Sequence, residues 1–219
     1  MMKKFIFVRN NKIRGKEELQ GICSQFHFKH AYGEETPKIF FATKHKVVEY
    51  DIHSEEVTTI LSLNFELGYQ LSFQPNIFEM NDAQTCSIIA NSYESAFFNH
   101  KTGLRRYIGE VFSISLIREI VYDNDWKQFY VMANKYKGKL GLYVIRFHED
   151  EPDDFEFLLK FKNKLEVSDA HIIVHRCPIK NYKELILSYK SIYVNTYSVA
   201  VFDISDPRFF TTVFRHDSF

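Results

Sequence analysis

Glycine and proline are scarce in this sequence, at 8 and 5 of 219 residues. Few positions are left where a backbone could cradle a phosphate. No Gly-rich loop ends in Gly-Lys-Ser/Thr, and GxGxxG, GxSxG and HExxH are absent too, which removes the common phosphate, nucleophile-elbow and zinc-hydrolase signatures. Three cysteines, Cys23, Cys86 and Cys177, make an odd, scattered set without a CxxC pair. They read as reduced thiols, not as a disulfide framework. Net charge is absent as well, with 28 Lys and Arg against 28 Asp and Glu; this excludes a generally basic nucleic-acid coat. No run of about 18 uncharged apolar residues exists that would span a membrane as a helix. The opening MMKKFIFVRN holds four consecutive apolar residues, Phe5 to Val8, too few for a secretory core. Residues 1–16 carry six basic side chains, no acid and no Ser, and read as a basic arm or edge strand. The expectation is an intracellular, cytoplasmic protein, with nuclear and mitochondrial placement as alternatives.

Aromatics are abundant instead, with 22 Phe and 13 Tyr, a balance that favours strands. Four segments share one grammar: an apolar run, a short gap, a second apolar run ending in an aromatic and Asp or Asn, a polar turn, then an alternating strand. They start at Lys38, Cys86, Lys127 and Glu184. Taking Tyr50, Phe98, Val144 and Phe202 as equivalent gives intervals of 48, 46 and 58 residues, and the excess is assigned to a loop insertion around Cys177 to Lys183. Candidate preceding strands are Ile22 to Phe28, Tyr69 to Phe73, Phe112 to Ile117 and His171 to Val174. The turns pair Asp51 with Ser54, Asn99 with Thr102, and Asp203 with Ser205; a carboxylate or amide there bonds its own backbone two residues on. The third repeat carries the longer FHEDEPDD in that place. Near-continuous apolar runs such as Ser198 to Phe202 predict middle strands buried on both faces. The alternation of Phe155, Phe157, Leu159 and Phe161 predicts half-exposed fourth strands.

Tyr50-Asp51, Phe98-Asn99 and Phe202-Asp203 thus stand where WD-repeat β-propellers carry their Trp-Asp pair, and the chain resembles a divergent member of that group. It has no Trp-Asp or Gly-His dipeptide, and the single tryptophan, Trp126, lies elsewhere. The resemblance implies an all-β, propeller-like array of about four four-stranded antiparallel blades, with another antiparallel sandwich or barrel as the alternative. The expected organisation is a basic arm over residues 1–16 and one propeller-like domain over 17–219, with blades near 22–62, 66–109, 112–162 and 168–214. Four units leave three arrangements open: a closed four-bladed ring, half of a larger ring finished by another chain, and an open fan.

Candidate chemistry is thin. His171, His175 and Cys177 lie on a predicted strand, where residues four apart stand about 13 Å from each other, too far for one zinc; no metal and no cofactor is expected. The acidic run Glu149, Asp150, Glu151, Asp153 and Asp154 lacks calcium-loop spacing and reads as a solvated loop or an epitope for a basic partner. Arg105-Arg106 invites comparison with phosphoinositide-binding propellers, but Tyr107 follows where that motif has Gly, and neighbours on a strand point to opposite faces. Lys135, Lys137 and Lys139, with the basic arm, could touch a phosphate backbone. Tyr182, Tyr193 and Tyr197, assigned to the last loops, are candidate interface anchors. The reading is a non-catalytic scaffold whose loops and blade edges meet protein partners, in a hetero-complex or a self-completed ring. The alternatives are an enzyme with a polar site in a channel, and a propeller that binds nucleic acid or phosphoinositide through its basic segments.

Overall fold

The computed structural model describes residues 26–29, 38–42, 46–51, 53–54, 56–62, 77–81, 83–90, 95–108, 114–135, 139–147, 155–177, 182–193, 197–206 and 210–216. Among them are fifteen strands: β1 (Phe26–Lys29), β2 (Lys38–Ala42), β3 (Lys46–Asp51), β4 (Val57–Ser62), β5 (Ile77–Met80), β6 (Cys86–Ala90), β7 (Ser95–Asn99), β8 (Arg105–Tyr107), β9 (Ile114–Asp123), β10 (Gln128–Lys135), β11 (Lys139–Phe147), β12 (Phe155–Cys177), β13 (Tyr182–Ser191), β14 (Tyr197–Asp203) and β15 (Thr211–His216). Sheet one is β1 to β4 and sheet two is β5 to β8, each in chain order. Sheets three and four share β12: its first half, Phe155–Glu166, pairs with β11, and its second half, Val167–Cys177, pairs with β13. The result is four four-stranded antiparallel sheets of blade type, the all-β class expected from the repeats. By compactness the chain divides into Met1–Phe78 and Glu79–Phe219.

In the first unit, Lys38 opposes Asp51 and Ile39 opposes Tyr50 across β2 and β3. Ile39, Phe40, Val47 and Val48 are buried. The bonds made by Asp51 fix the following turn: its Oδ1 accepts from His53 N at 2.8 Å and Ser54 N at 3.0 Å. Ser54 Oγ then accepts from Glu56 N at 3.3 Å.

In the second unit, β6 and β7 are buried at every position, and so are Gln128–Asn134 of β10 and Leu140–Ile145 of β11. Strands covered on both faces need no polar alternation, which is why their sequences read as apolar runs. Sheet four departs from that expectation. β13 and β14 alternate buried and half-buried positions, so the Ser198–Phe202 run is covered on one face. The covered face joins sheet three through a core that includes Tyr130, Met132, Leu142, Leu187, Ala200 and Phe202.

Several sequence assignments shift. The first strand of sheet two is Ile77–Met80, while Tyr69 to Phe73 lie outside the described residues. Tyr50, Phe98 and Phe202 are next to last in their strands, but Val144 is followed by three more residues of β11; the third repeat is therefore offset by two, and Arg146 is the true counterpart. The extra length of the last repeat is not a loop around Cys177 to Lys183. Cys177 ends β12 and Tyr182 begins β13, so long strands absorb the residues. A register shift between Leu142 and Tyr143 leaves Lys160 unpaired. One extra residue reverses the facing of those beyond it: Phe157 stacks on Tyr143 at 4.8 Å, whereas Phe161 turns to Phe202 at 5.4 Å.

Gly141 is held by that packing. A Cβ there would stand 2.8 Å from the Tyr143 ring, and the ring is pinned against Phe157. Gly141→Ala is expected to cost about 1–3 kcal/mol through overpacking, measured by urea titration; a change below about 0.5 kcal/mol would show the ring to be movable.

Candidate functional site

The turn between β9 and β10 reads Asp123-Asn124-Asp125-Trp126-Lys127. Asp123 Oδ1 accepts from Asp125 N at 3.1 Å and Trp126 N at 3.3 Å, closing an Asx turn. Lys127 takes the left-handed conformation at φ 50°. The turn delivers two groups toward sheet four. Trp126 Nε1 donates to Ile204 O at 3.1 Å, and Lys183 Nζ donates to Asp123 Oδ1 and, at 2.9 Å, to Asp125 Oδ2. Lys183 and Asp123 have side chains only 9% and 2% exposed, so this is a buried ion pair.

Around it lies a cleft of about 250 Å³ lined by Asp125, Trp126, Arg176, Tyr182, Lys183 and Ser205. Arg176 reaches Asp125 at 3.3 Å. Ser205 Oγ accepts from Lys183 N at 3.0 Å. A polar chain continues inward: Tyr130 Oη donates to Asp123 Oδ2, Gln128 Nε2 donates to Tyr130 Oη, and Arg146 Nε donates to Gln128 Oε1. The Lys183 hydrogen bond holds the Asp125 carboxyl below its ordinary value. Burial, reinforced by the Asp123 charge, pushes the Tyr130 phenol far up. These charges neutralise each other within the cleft, and its chemistry is that of a joint between sheets three and four.

A second arrangement concerns β5, β9 and the latter half of β12, each the leading strand of its sheet, with no strand hydrogen-bonded along its outer edge among the described residues. Glu79 Oε1 of β5 accepts from Tyr122 N of β9 at 3.3 Å. Glu119 Oε2 of β9 accepts from Ile172 N of β12 at 2.5 Å, and Arg118 Nη2 donates to Val167 O at 3.0 Å. Side chains thus satisfy an edge that would otherwise be buried without partners. Burial raises the Glu119 carboxyl above its ordinary value, against the Ile172 amide and His171. With a raised folded value, the proton binds the folded chain more tightly, and Glu119 weakens the fold as pH rises through the unfolded value. Glu119→Gln keeps an acceptor for Ile172 N and should stabilise the chain at pH 7 by several tenths of a kcal/mol or more, with the gain fading below about pH 4. Thermal melts at the two pH values check it; a loss at pH 7 would show the charge to be favourable.

The residues singled out in the sequence are dispersed. Asp51, Asn99 and Asp203 each sit in the last turn of a different sheet. Asn99 Oδ1 accepts from Lys101 N at 2.9 Å and Thr102 N at 3.3 Å, and Thr102 Oγ1 accepts from Leu104 N at 3.2 Å. Asp203 Oδ1 accepts from Ser205 N at 2.8 Å. Asp203→Ala is therefore expected to cost about 1 kcal/mol, read in a denaturant titration; no measurable change would remove this turn from the repeat grammar. Arg105 is half-buried with its guanidinium 4.6 Å from the Tyr107 ring centroid, and Arg106 is exposed. Tyr182 and Tyr197 open strands instead of lying in loops; Tyr193 is 72% exposed in the turn between β13 and β14. Tyr197 Oη donates to Asp169 Oδ2 at 2.8 Å. His171 and His175 project from β12 toward carboxylates, Glu119 and Asp169 for the first and Glu184 for the second, and no metal-binding group of three occurs among the described residues. Glu149, Asp150, Glu151, Asp153, Asp154, Lys137 and residues 1–16 lie outside the described residues. Among those described, no helix is long and apolar enough to cross a membrane.

Sequence reasoning missed the Asp123–Lys183 joint and the edge acids. The signals were there: an Asp-Asn-Asp-Trp turn between apolar runs, and lone acids inside strands, as in Phe78-Glu79-Met80.

No protein-family model matches the sequence, and no curated protein matches it. Solved structures do resemble the fold. The chain is similar to part of the core factor of S. cerevisiae, with a TM-score of 0.57 at 12% identity, over 82% of this chain and 29% of that one. It is also similar to the WD40 domain of SCAP from fission yeast, with a TM-score of 0.47 at 10% identity, over 94% of this chain and 46% of that one. An endo-arabinase from Bacteroides thetaiotaomicron gives 0.48 at 10% identity, over 90% and 82%. The first likeness bears on fold alone. The chain spans less than half the length of the first two proteins.

Proposed function

We propose that this chain is a non-catalytic interaction subunit, a divergent WD-repeat-like propeller scaffold that works within a larger assembly inside the cell. The observation that carries the reading is the uncovered side of sheet four and its ends. Ile173, Val213 and Phe214 are each more than half exposed, and Ile192, Tyr193 and Tyr197 add 49%, 72% and 45%. Large apolar side chains grouped on one sheet are the usual mark of a protein-binding surface. The internally neutralised cleft supports the same reading, since its charged groups hold two sheets together. The likeness to part of the core factor and to a WD40 domain is a likeness of fold, from which function does not follow.

The test is the size of the native particle. Tagged at its natural level and purified from its own cells, the chain should elute with a stoichiometric protein partner, well above 26.0 kDa. Elution alone at 26.0 kDa, from cells in which it is functional, would overturn the reading.

A further inference from the structure

The uncovered side of sheet four repeats the side by which sheet three holds sheet four. Sheet three turns Tyr130, Met132 and Leu142 toward Ile172, Leu187 and Ala200 of sheet four. On its opposite side sheet four carries a straight row across all four strands: Ile173 opposes Ile186, Ile186 opposes Val201, and Val201 opposes Phe214. Directly opposed residues share a face. The row ends are 57% and 53% exposed. The rows that flank it are mostly polar, His171–Ser188–Val199–His216 on one side, with Val199 its one apolar member, and His175–Glu184–Asp203–Thr211 on the other. An apolar centre with a polar rim is the anatomy of an interface.

The edge acids form a series that continues past sheet four. Glu79 binds Tyr122 N, and Glu119 precedes Tyr122 by three residues; Glu119 in turn binds Ile172 N. Asp169 precedes Ile172 by three residues. It therefore holds the same position on β12 that Glu119 holds on β9, but accepts from Tyr197 Oη instead of from a neighbouring strand. Its side chain is 46% exposed on the uncovered side.

We infer that the uncovered face of sheet four seats a further blade-type sheet carried by another protein. Its apolar row covers Ile173, Ile186, Val201 and Phe214, and its leading strand donates a backbone N–H to Asp169. The contact continues the one between sheets three and four. In a second copy of this chain the comparable N–H groups of β9 and β12, those of Tyr122 and Ile172, are already held by Glu79 and Glu119. This inference rests on the interaction-subunit reading and names the surface and the kind of partner.

The test uses the full chain in its own cells, with Phe214→p-benzoylphenylalanine as a photo-crosslinker. The expected product joins position 214 to a strand of an antiparallel sheet in one other protein. Ile173→Asp and Phe214→Asp, at exposed sites where folding is preserved, should each lower retention of that protein by about tenfold or more. Asp169→Ala should lower it severalfold, whereas Arg106→Ala should leave it unchanged. Crosslinks within pairs of this chain would overturn the inference in favour of a second copy. A complex that survives Ile173→Asp and Phe214→Asp would overturn it while leaving the interaction-subunit reading standing. A chain that elutes alone at 26.0 kDa overturns both.

Discussion

Lys183→Met is expected to destabilise the second unit by about 3–5 kcal/mol, the cost of removing one partner from a buried ion pair. Methionine keeps most of the length and apolar stem but removes the ammonium that serves Asp123 and Asp125. Asp125 is 44% exposed and can turn to water. Asp123, at 2%, cannot. It keeps the Tyr130 hydroxyl and the amides of its own turn, which do not neutralise a charge. Asp123→Asn retains the turn-capping oxygen, so the double change Asp123→Asn with Lys183→Met should recover much of the loss, with a coupling of about 2 kcal/mol or more. Trp126 is the single tryptophan of the chain and donates to Ile204 O inside this joint, so its emission during urea unfolding reports the region directly. Additive single effects would show that the pair contributes little.

The turn of this joint was legible in the sequence, but its pairing with Lys183 was not, for a physical reason. Asp123 and Lys183 stand 60 residues apart, and nothing local marks a lysine at the start of an alternating strand as buried. The last turns of three repeats were legible, because Asp51, Asn99 and Asp203 bond to amides two residues on and the whole device fits within five residues. Alternation and apolar runs were legible for the same reason: strand burial has a period of two. Sheet four shows the limit. Val199 and Val201 read as core, but their exposure depends on whether a further layer covers them, and sequence composition says nothing of that layer. The offset of the third repeat has a similar origin, since β11 runs past Val144 to Phe147 and the turn signal expected there is replaced by a longer acidic stretch.

The edge acids sit between these cases. Glu79, Glu119 and Asp169 follow no fixed sequence spacing, because sheet three is longer than sheet two and β12 crosses from one sheet to the next. Their equivalence appears only when each is counted from the amide that the preceding acid binds. An acid flanked by apolar residues inside a strand is nevertheless a readable oddity, since burying a carboxylate needs a donor nearby. In a chain of stacked sheets, that donor is the open edge of the next leading strand.

Asn81→Ala is expected to cost about 2–3 kcal/mol, more than any change in the turns that the sequence made conspicuous. Asn81 is 3% exposed and follows β5. Its Oδ1 accepts from Thr85 N and Cys86 N, both at 2.9 Å, and its Nδ2 donates to Thr85 Oγ1 at 2.8 Å. Three bonds from one side chain hold a turn in which Gln84 takes φ 58°, a conformation that a non-glycine residue keeps only when its surroundings impose it. The same turn is tied across the sheet. His100 N donates to Thr85 O at 2.8 Å, and His100 Nδ1 lies 2.8 Å from Gln84 O, so that nitrogen is the donor and Nε2 accepts from Ser87 Oγ. Burial lowers the His100 value, in keeping with a neutral ring. Alanine at position 81 leaves two amides without their acceptor, and a buried donor without a partner costs about 1–3 kcal/mol. Asn81→Asp keeps the acceptor for both amides and offers Thr85 Oγ1 an acceptor in place of a donor, so it should cost less than Asn81→Ala despite its charge. Urea titrations of both variants beside Asp203→Ala decide the matter. Equal costs for Asn81→Ala and Asp203→Ala would mean that the turn leading into β6 is held by His100 alone.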